Sequence, residues 1–414
     1  MVSAKINFLW KRLFISILIV YIFTYGLWIE FFGISNYYRY FVYSIVMIFA
    51  LFAYVKFLFS KSSATRKLIF YYFVSELYFF VFYLIKHYGS IFLIYNYIFI
   101  PLSTTAFIFL FSNRGKLSFY AELLYYKVVI FGGIINAVIS IMEFVTKTYV
   151  LSTASQHSIS YSATTITRST GLIGSSLING IICGITVLTF LRLYYLNSKK
   201  TIYMILMFIA FFGLLSTFSR GPLISTIVSL LLFMIFKEQR SSKRTIKFFL
   251  FLILFVIFFS IVLNIQTVNA FLLRIQSIFN WTSDSGNSAR IVIWTNLLKD
   301  LENNYLFGLG IGALKYNNIL VTESGLLYVF YETGIVGLLI YFIPIIYILK
   351  YAIRKHKHNE NQRTMYSLLI IVAILVENII LQVMTSLIVQ LVFSVAASMI
   401  LLGSTDSQSR IQKN

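Results

Sequence analysis

Apolar residues along this chain gather into long runs, separated by short clusters of lysine, arginine and small polar residues. Twelve runs stand out: 13–32, 40–59, 68–85, 91–112, 128–145, 172–195, 201–218, 222–236, 248–264, 324–349, 365–382 and 386–402. Most approach the roughly 18–20 residues that a helix needs to cross hydrocarbon. The last two form a helical hairpin that turns at Met384-Thr385-Ser386, near Glu377, Asn378 and Gln382, which approach a surface there. The pattern predicts an all-α, polytopic helical membrane protein with twelve transmembrane helices in a single integral membrane domain, residues 1–414. A β-barrel would instead show alternating segments of about ten residues. Two polar stretches are long, 146–171 and 265–323, and loops of this kind carry function when a scaffold holds them. In the second, Ile291, Trp294, Leu297 and Leu298 fall at helical spacing and predict an amphipathic helix on the membrane surface.

Charge fixes the direction of the helices. With a cytoplasmic N-terminus, 25 of the 34 lysines and arginines fall on inner segments, and both termini lie inside. The first apolar run follows basic residues as a signal peptide does, but it lacks a small-residue cleavage site and reads as retained. The net charge of +21 is therefore a topology signal, with attraction to anionic membrane lipid second, and nucleic acid is not an expected partner. One cysteine, Cys183, excludes an intrachain disulfide framework. The four histidines have no metal-ligand company, and no metal or cofactor is expected. GLGIG at 308–312 lacks the preceding strand and following GK[ST] of a nucleotide loop and reads as a turn.

Topology explains the inner arginines but leaves Arg39, Arg168, Arg220, Arg274 and Arg290 on the outer side. Arg220 lies in SRGP between two runs. Gly221 permits a tight turn, Ser219 suits a helix cap, and Pro222 suits a first helical turn. A helix starting there aims its N-terminus at any anion that Arg220 holds. Arg168 in TRSTG and Arg290 in the surface helix repeat the theme, and three guanidinium groups at one level suit a diphosphate. The alternative is three independent anchors to lipid phosphates. Among the few acids, Glu323 opens the run at 324–349 and is a candidate general base, or else a carboxylate favoured by a helix N-terminus. Glu332 is too deep for that site unless its helix kinks. Glu76 lies mid-span, where a carboxylate is costly and marks function or an internal pair.

The order Arg168-x-x-Gly171, Ser219-Arg220-Gly221, Arg290…Trp294, GLGIG and Glu332-Thr333-Gly334-Ile335-Val336-Gly337 resembles the O-antigen ligase and Wzy-type polysaccharide polymerase superfamily over roughly 160–345. The resemblance implies a multi-pass protein of the cytoplasmic membrane that acts at the outer face on undecaprenyl-diphosphate-linked oligosaccharide. It also implies that Arg168, Arg220 and Arg290 bind the lipid diphosphate, with Arg220 and Arg290 catalytic. Ligases of the superfamily carry a His-Asn pair before the E-x-G-x-x-G helix; this chain has Val321-Thr322-Glu323-Ser324 instead. That departure favours a polymerase of O-antigen or capsule repeat units, with Glu323 as base and a chain-length regulator and flippase as partners. A ligase acting on a lipid or protein acceptor is one alternative, and a lipid-linked sugar transporter is another.

Overall fold

The computed structural model describes residues 35–58, 63–111, 116–151, 158–161, 164–196, 201–236, 285–317, 324–359 and 362–401, with single positions between them. The apolar runs within these limits are helices: α1 (Ser35–Leu58), α2 (Ser63–Ile85), α3 (Tyr95–Phe111), α4 (Lys116–Thr146), α5 (Ser176–Leu196), α6 (Thr201–Ser216) and α7 (Arg220–Phe236). After them come α8 (Ser285–Asp300), α9 (Gly325–Asn359), α10 (Gln362–Ile380) and α11 (Leu387–Leu401). Among the described residues, six apolar stretches are long enough to cross a bilayer, and four further apolar helices are shorter. The runs 13–32 and 248–264 lie outside the described residues, apart from single positions in the first.

These helices form a membrane bundle. On α2, Phe70, Phe73, Leu77, Phe80 and Leu84 make an exposed apolar stripe, while Leu68, Tyr72, Phe79 and Phe82 face the interior. A helix apolar on both faces has one solvent in lipid and another in its neighbours. At the centre stand α11, buried along its whole length, α5 and α10. Helix α11 packs on α3 and α10, α10 on α7 and α9, and α5 on α6. Segments 86–88, 168–171, 217–219, 308–312 and 377–384 meet at one end. At the other, Arg192 lies over Tyr126 and Tyr366, and Lys355 donates to the Ile400 carbonyl.

The segment 146–171 holds a two-stranded antiparallel hairpin, Ser158–Tyr161 against Thr164–Thr167. Its SISY and TTIT sequences carry the β-branched and hydroxyl residues that favour strands. The residues expected to form a helix on the membrane surface are helical, as α8. Leu297 and Leu301 are buried and Ile293 packs on the core, whereas Ile291 and Leu298 are exposed. The turn at 381–386 joins α10 to α11 as expected, yet Glu377 and Asn378 are interior rather than superficial.

Candidate functional site

The SRG turn joins α6 to α7. Its left-handed residue is Phe218 (φ 50°), not Gly221. The Ser219 hydroxyl accepts from the Arg168 guanidinium at 2.6 Å, so Ser219 serves as an arginine partner where the sequence suggested a helix cap. Arg168 also donates to the Thr217 carbonyl at 3.3 Å, and the Ser169 amide donates to the Ser216 carbonyl at 3.1 Å. The outer loop is thereby stitched to the turn, and Arg168 stands on the residue that precedes Arg220. Helix α7 begins at Arg220 itself, with Pro222 in its first turn. Both arginines are half-buried.

A buried polar floor holds this arrangement. Glu143, near the end of α4, accepts from the backbone amides of Thr170 (2.7 Å), Gly171 (2.8 Å) and Val150 (3.0 Å). The Asn136 carbonyl oxygen accepts from the Leu172 amide, and its amide donates to Asn179 of α5. Asn179 in turn donates to Ser140. Gly171 sits at φ 54°, and a side chain there would strike Asn136, Ser140 and Asn179. Asn136, Ser140 and Glu143 are spaced i, i+4, i+7, which places them on one face of α4. Sequence reasoning missed this set, although three polar residues at helical spacing within GGIINAVISIMEF were its signal.

The end of α10 fits between two helix starts. The Glu377 carboxylate lies where a Cβ on Gly221 would project, against the first turn of α7. The next residue, Asn378, occupies the same position against Gly325, the first residue of α9, and accepts from the Met384 amide at 3.0 Å. Arg290 of α8 acts electrostatically on Glu377. Arg168, Arg220 and Arg290 are thus connected through the start of α7: by Ser219 on one side and by Gly221 and Glu377 on the other. The helix N-terminus offered to an external anion already has an internal carboxylate beside it.

The second motif region is a helix broken to receive a loop. Helix α9 has a non-helical residue at Gly334 (φ 66°, ψ −169°), which frees backbone groups that must be bonded again. Residues 305–312 supply the partners. The Leu309 and Gly310 amides donate to the Tyr331 and Glu332 carbonyls at 2.9 and 2.8 Å. The Tyr305 and Leu306 carbonyls accept from the Ile335 and Val336 amides. Backbone passes so close at Gly308 (φ 67°) that a Cβ would lie 2.5 Å from the Gly334 nitrogen. Lys86 caps the loop from the far side by donating to the Gly308 carbonyl at 2.7 Å. GLGIG is indeed a turn, and its glycines allow backbone to dock on backbone. Glu332, two residues before the kink, accepts from the Tyr97 hydroxyl at 2.6 Å. Glu76 accepts from the Tyr54 hydroxyl at 2.6 Å, an internal pair remote in sequence from these motifs. Glu323 and Arg274 lie outside the described residues, as does the side chain of Arg39.

No curated protein matches the chain. The family model described as O-antigen ligase matches residues 205–342, which run from α6 through the SRG turn and the Arg290 helix to the broken helix α9. The stretch that carries Arg220, Arg290 and the broken helix is thus similar to the O-antigen ligase/Wzy-type superfamily, while Arg168 and Glu377 lie outside it.

Proposed function

We propose that the protein moves a glycan from undecaprenyl diphosphate to a hydroxyl of a lipid-linked repeat unit, as a polymerase of surface polysaccharide at the outer face of the cytoplasmic membrane. The hydrogen bond from Arg168 to Ser219 carries this reading. It brings two arginines from separate segments onto the start of one helix, at the end of the bundle away from the basic inner loops. Arg168 and Arg220 hold the diphosphate, and Arg290, linked to the same place through Glu377, joins them. Charge grows on the diphosphate as it leaves, and fixed guanidinium groups stabilise that charge. A chain-length regulator and a flippase are the partners that such a polymerase needs.

A ligase that passes finished glycan to another acceptor is the second reading, favoured by the description of the matching family model. The glycan of a strain lacking the gene separates the two. Single repeat units at the cell surface support the polymerase. Full-length chains retained on the carrier lipid establish the ligase instead.

A further inference from the structure

GLGIG docks on α9 along one edge, and its other edge is bonded to the turn between α2 and α3. The Tyr88 amide donates to the Ile311 carbonyl at 2.7 Å, and the Ile311 amide donates to the Lys86 carbonyl at 3.2 Å. Gly312 has φ 89°, and a Cβ there would collide with the Tyr88 carbonyl oxygen. A short helical turn, Ala313–Tyr316, follows directly. It lays the Tyr316 ring on the Tyr88 ring, with centroids 4.8 Å apart and planes at 30°. Tyr316 is 69% exposed, so Tyr88 covers one face of its ring and the other is open. Backbone bonds already hold the loop, so they do not explain an ordered aromatic pair on its outer surface.

Aromatic side chains at the end of a membrane bundle are ordinarily an interfacial belt, and the level of this pair argues otherwise. The exposed apolar stripe of α2 stops at Leu84 and Ile85. On α9 no residue from Gly325 to Gly334 is exposed, and the exposed stripe of Ile335, Leu339, Ile343 and Ile346 begins past the kink. The two levels coincide, because Lys86 donates to Gly308 and Gly308 lies on Gly334. The lipid boundary therefore runs near Lys86 and Gly334. Leu306 and Phe307, exposed and apolar, are on its lipid side, where the Leu306 carbonyl accepts from the Val336 amide. Tyr316 is on the water side: its neighbour Asn317 donates to the Tyr331 hydroxyl at 2.8 Å, and Tyr331 precedes the kink. The side chains flanking the pair are polar, with His87 and Ser90 exposed in one segment and Lys315 and Asn317 in the other.

A sugar ring has a face of C–H groups and a rim of hydroxyls. The face packs on an aromatic ring, and the rim takes groups that donate and accept. Aromatic surface with a few placed polar groups is the composition of small-ligand sites. A phosphate would be held by lysine without the rings, so the rings favour a glycan over a lipid headgroup. We propose that the Tyr88–Tyr316 pair is a glycan platform, on which a sugar of the lipid-linked repeat unit lies against the open face of Tyr316 with its hydroxyls toward Lys315, Asn317 and His87. The inference rests on the transfer reading above and adds to it a contact with the sugar chain instead of the carrier. Such a contact discriminates a carrier that bears glycan from the bare carrier that the reaction leaves behind.

The test uses the full chain in nanodiscs with two probes, the host's own undecaprenyl-diphosphate-linked repeat unit and undecaprenyl diphosphate without glycan. Tyr316→Ala is expected to weaken binding of the glycan-bearing probe about two- to tenfold and to leave binding of the bare probe unchanged. Tyr316→Trp should retain binding of both. The indole it introduces should change its fluorescence when free repeat-unit oligosaccharide is added and resist quenching by lipids brominated on their acyl chains. Unaltered binding of the glycan-bearing probe by Tyr316→Ala, equal weakening of both probes, or quenching by brominated lipid overturns the platform. Wild type that binds neither probe sinks the transfer reading and the platform with it. Wild type that binds both, with Tyr316→Ala unaltered, sinks the platform alone.

Discussion

Replacing Glu143 by alanine is expected to loosen the segment that carries Arg168 without touching any arginine. The Glu143 side chain is fully buried and accepts three backbone amides. Val150 is exposed, so water replaces its lost partner at little cost. Thr170 and Gly171 are buried, and their amides would be left without an acceptor. At about 1–3 kcal/mol for each unsatisfied buried donor, the alanine variant loses roughly 2–6 kcal/mol. Glu143→Gln gives a different result. One Glu143 oxygen accepts both buried amides, and a glutamine oxygen in its place keeps both bonds. The bond to the exposed Val150 amide is given up to water, and the two buried amides then meet a neutral acceptor, a cost of about 1–2 kcal/mol. Thermal unfolding of the purified protein gives the ranking, and hydrogen exchange of residues 148–172 localises the effect. Transfer activity should fall with the alanine variant and persist with the glutamine. Equal stability of the alanine variant and wild type, or equal damage by both substitutions, would refute the hydrogen-bond argument.

Gly308→Ala and Gly334→Ala should each lower the unfolding temperature markedly, since a Cβ at either position lies 2.5 Å from backbone of the opposing segment and both residues have positive φ. Repacking that leaves the unfolding temperature unchanged would contradict the docking of the 305–312 loop into α9. Glu76→Gln should be close to neutral in transfer, because a glutamine oxygen still accepts the Tyr54 hydroxyl; loss of transfer with intact folding would give Glu76 a part in the mechanism. Arg168→Ala should reduce transfer by about 10²–10³. Arg168→Lys should recover only part of it, because a lysine cannot reach Ser219 and Thr217 with the planar fork that arginine uses.

The helices were legible in the sequence because a bilayer demands long apolar segments, and most observed ends fall near the expected ones; the exceptions are α4, which starts at Lys116 instead of 128, and α9, which runs to Asn359 instead of 349. The SRG turn was legible for the same reason, as a polar break between two apolar runs. The inward face of α8 was not. Its apolar residues lie on both faces, one set toward the bundle and another exposed, so spacing alone cannot say that Leu297 is inside and Leu298 outside. The docking of GLGIG into α9 was hidden because it is made by backbone groups, which leave no side-chain pattern beyond the glycines. The role of Glu143 depends on amides of a loop 27 and 28 residues away in the chain, a contact that local pattern does not encode. Glu377 read as a superficial residue near a turn, because its burial is set by the starts of α7 and α9 closing around it.

The central claim is that Arg168 and Arg220, joined at the start of α7 and linked there to Arg290, hold a lipid diphosphate. Titration of the protein in nanodiscs with undecaprenyl diphosphate and with undecaprenyl monophosphate tests it most directly. The account predicts tighter binding of the diphosphate and at least a tenfold weakening in Arg220→Ala, since a charged hydrogen bond contributes about 1.5–3 kcal/mol. Equal affinity for the two lipids together with unaltered binding by Arg220→Ala would contradict it.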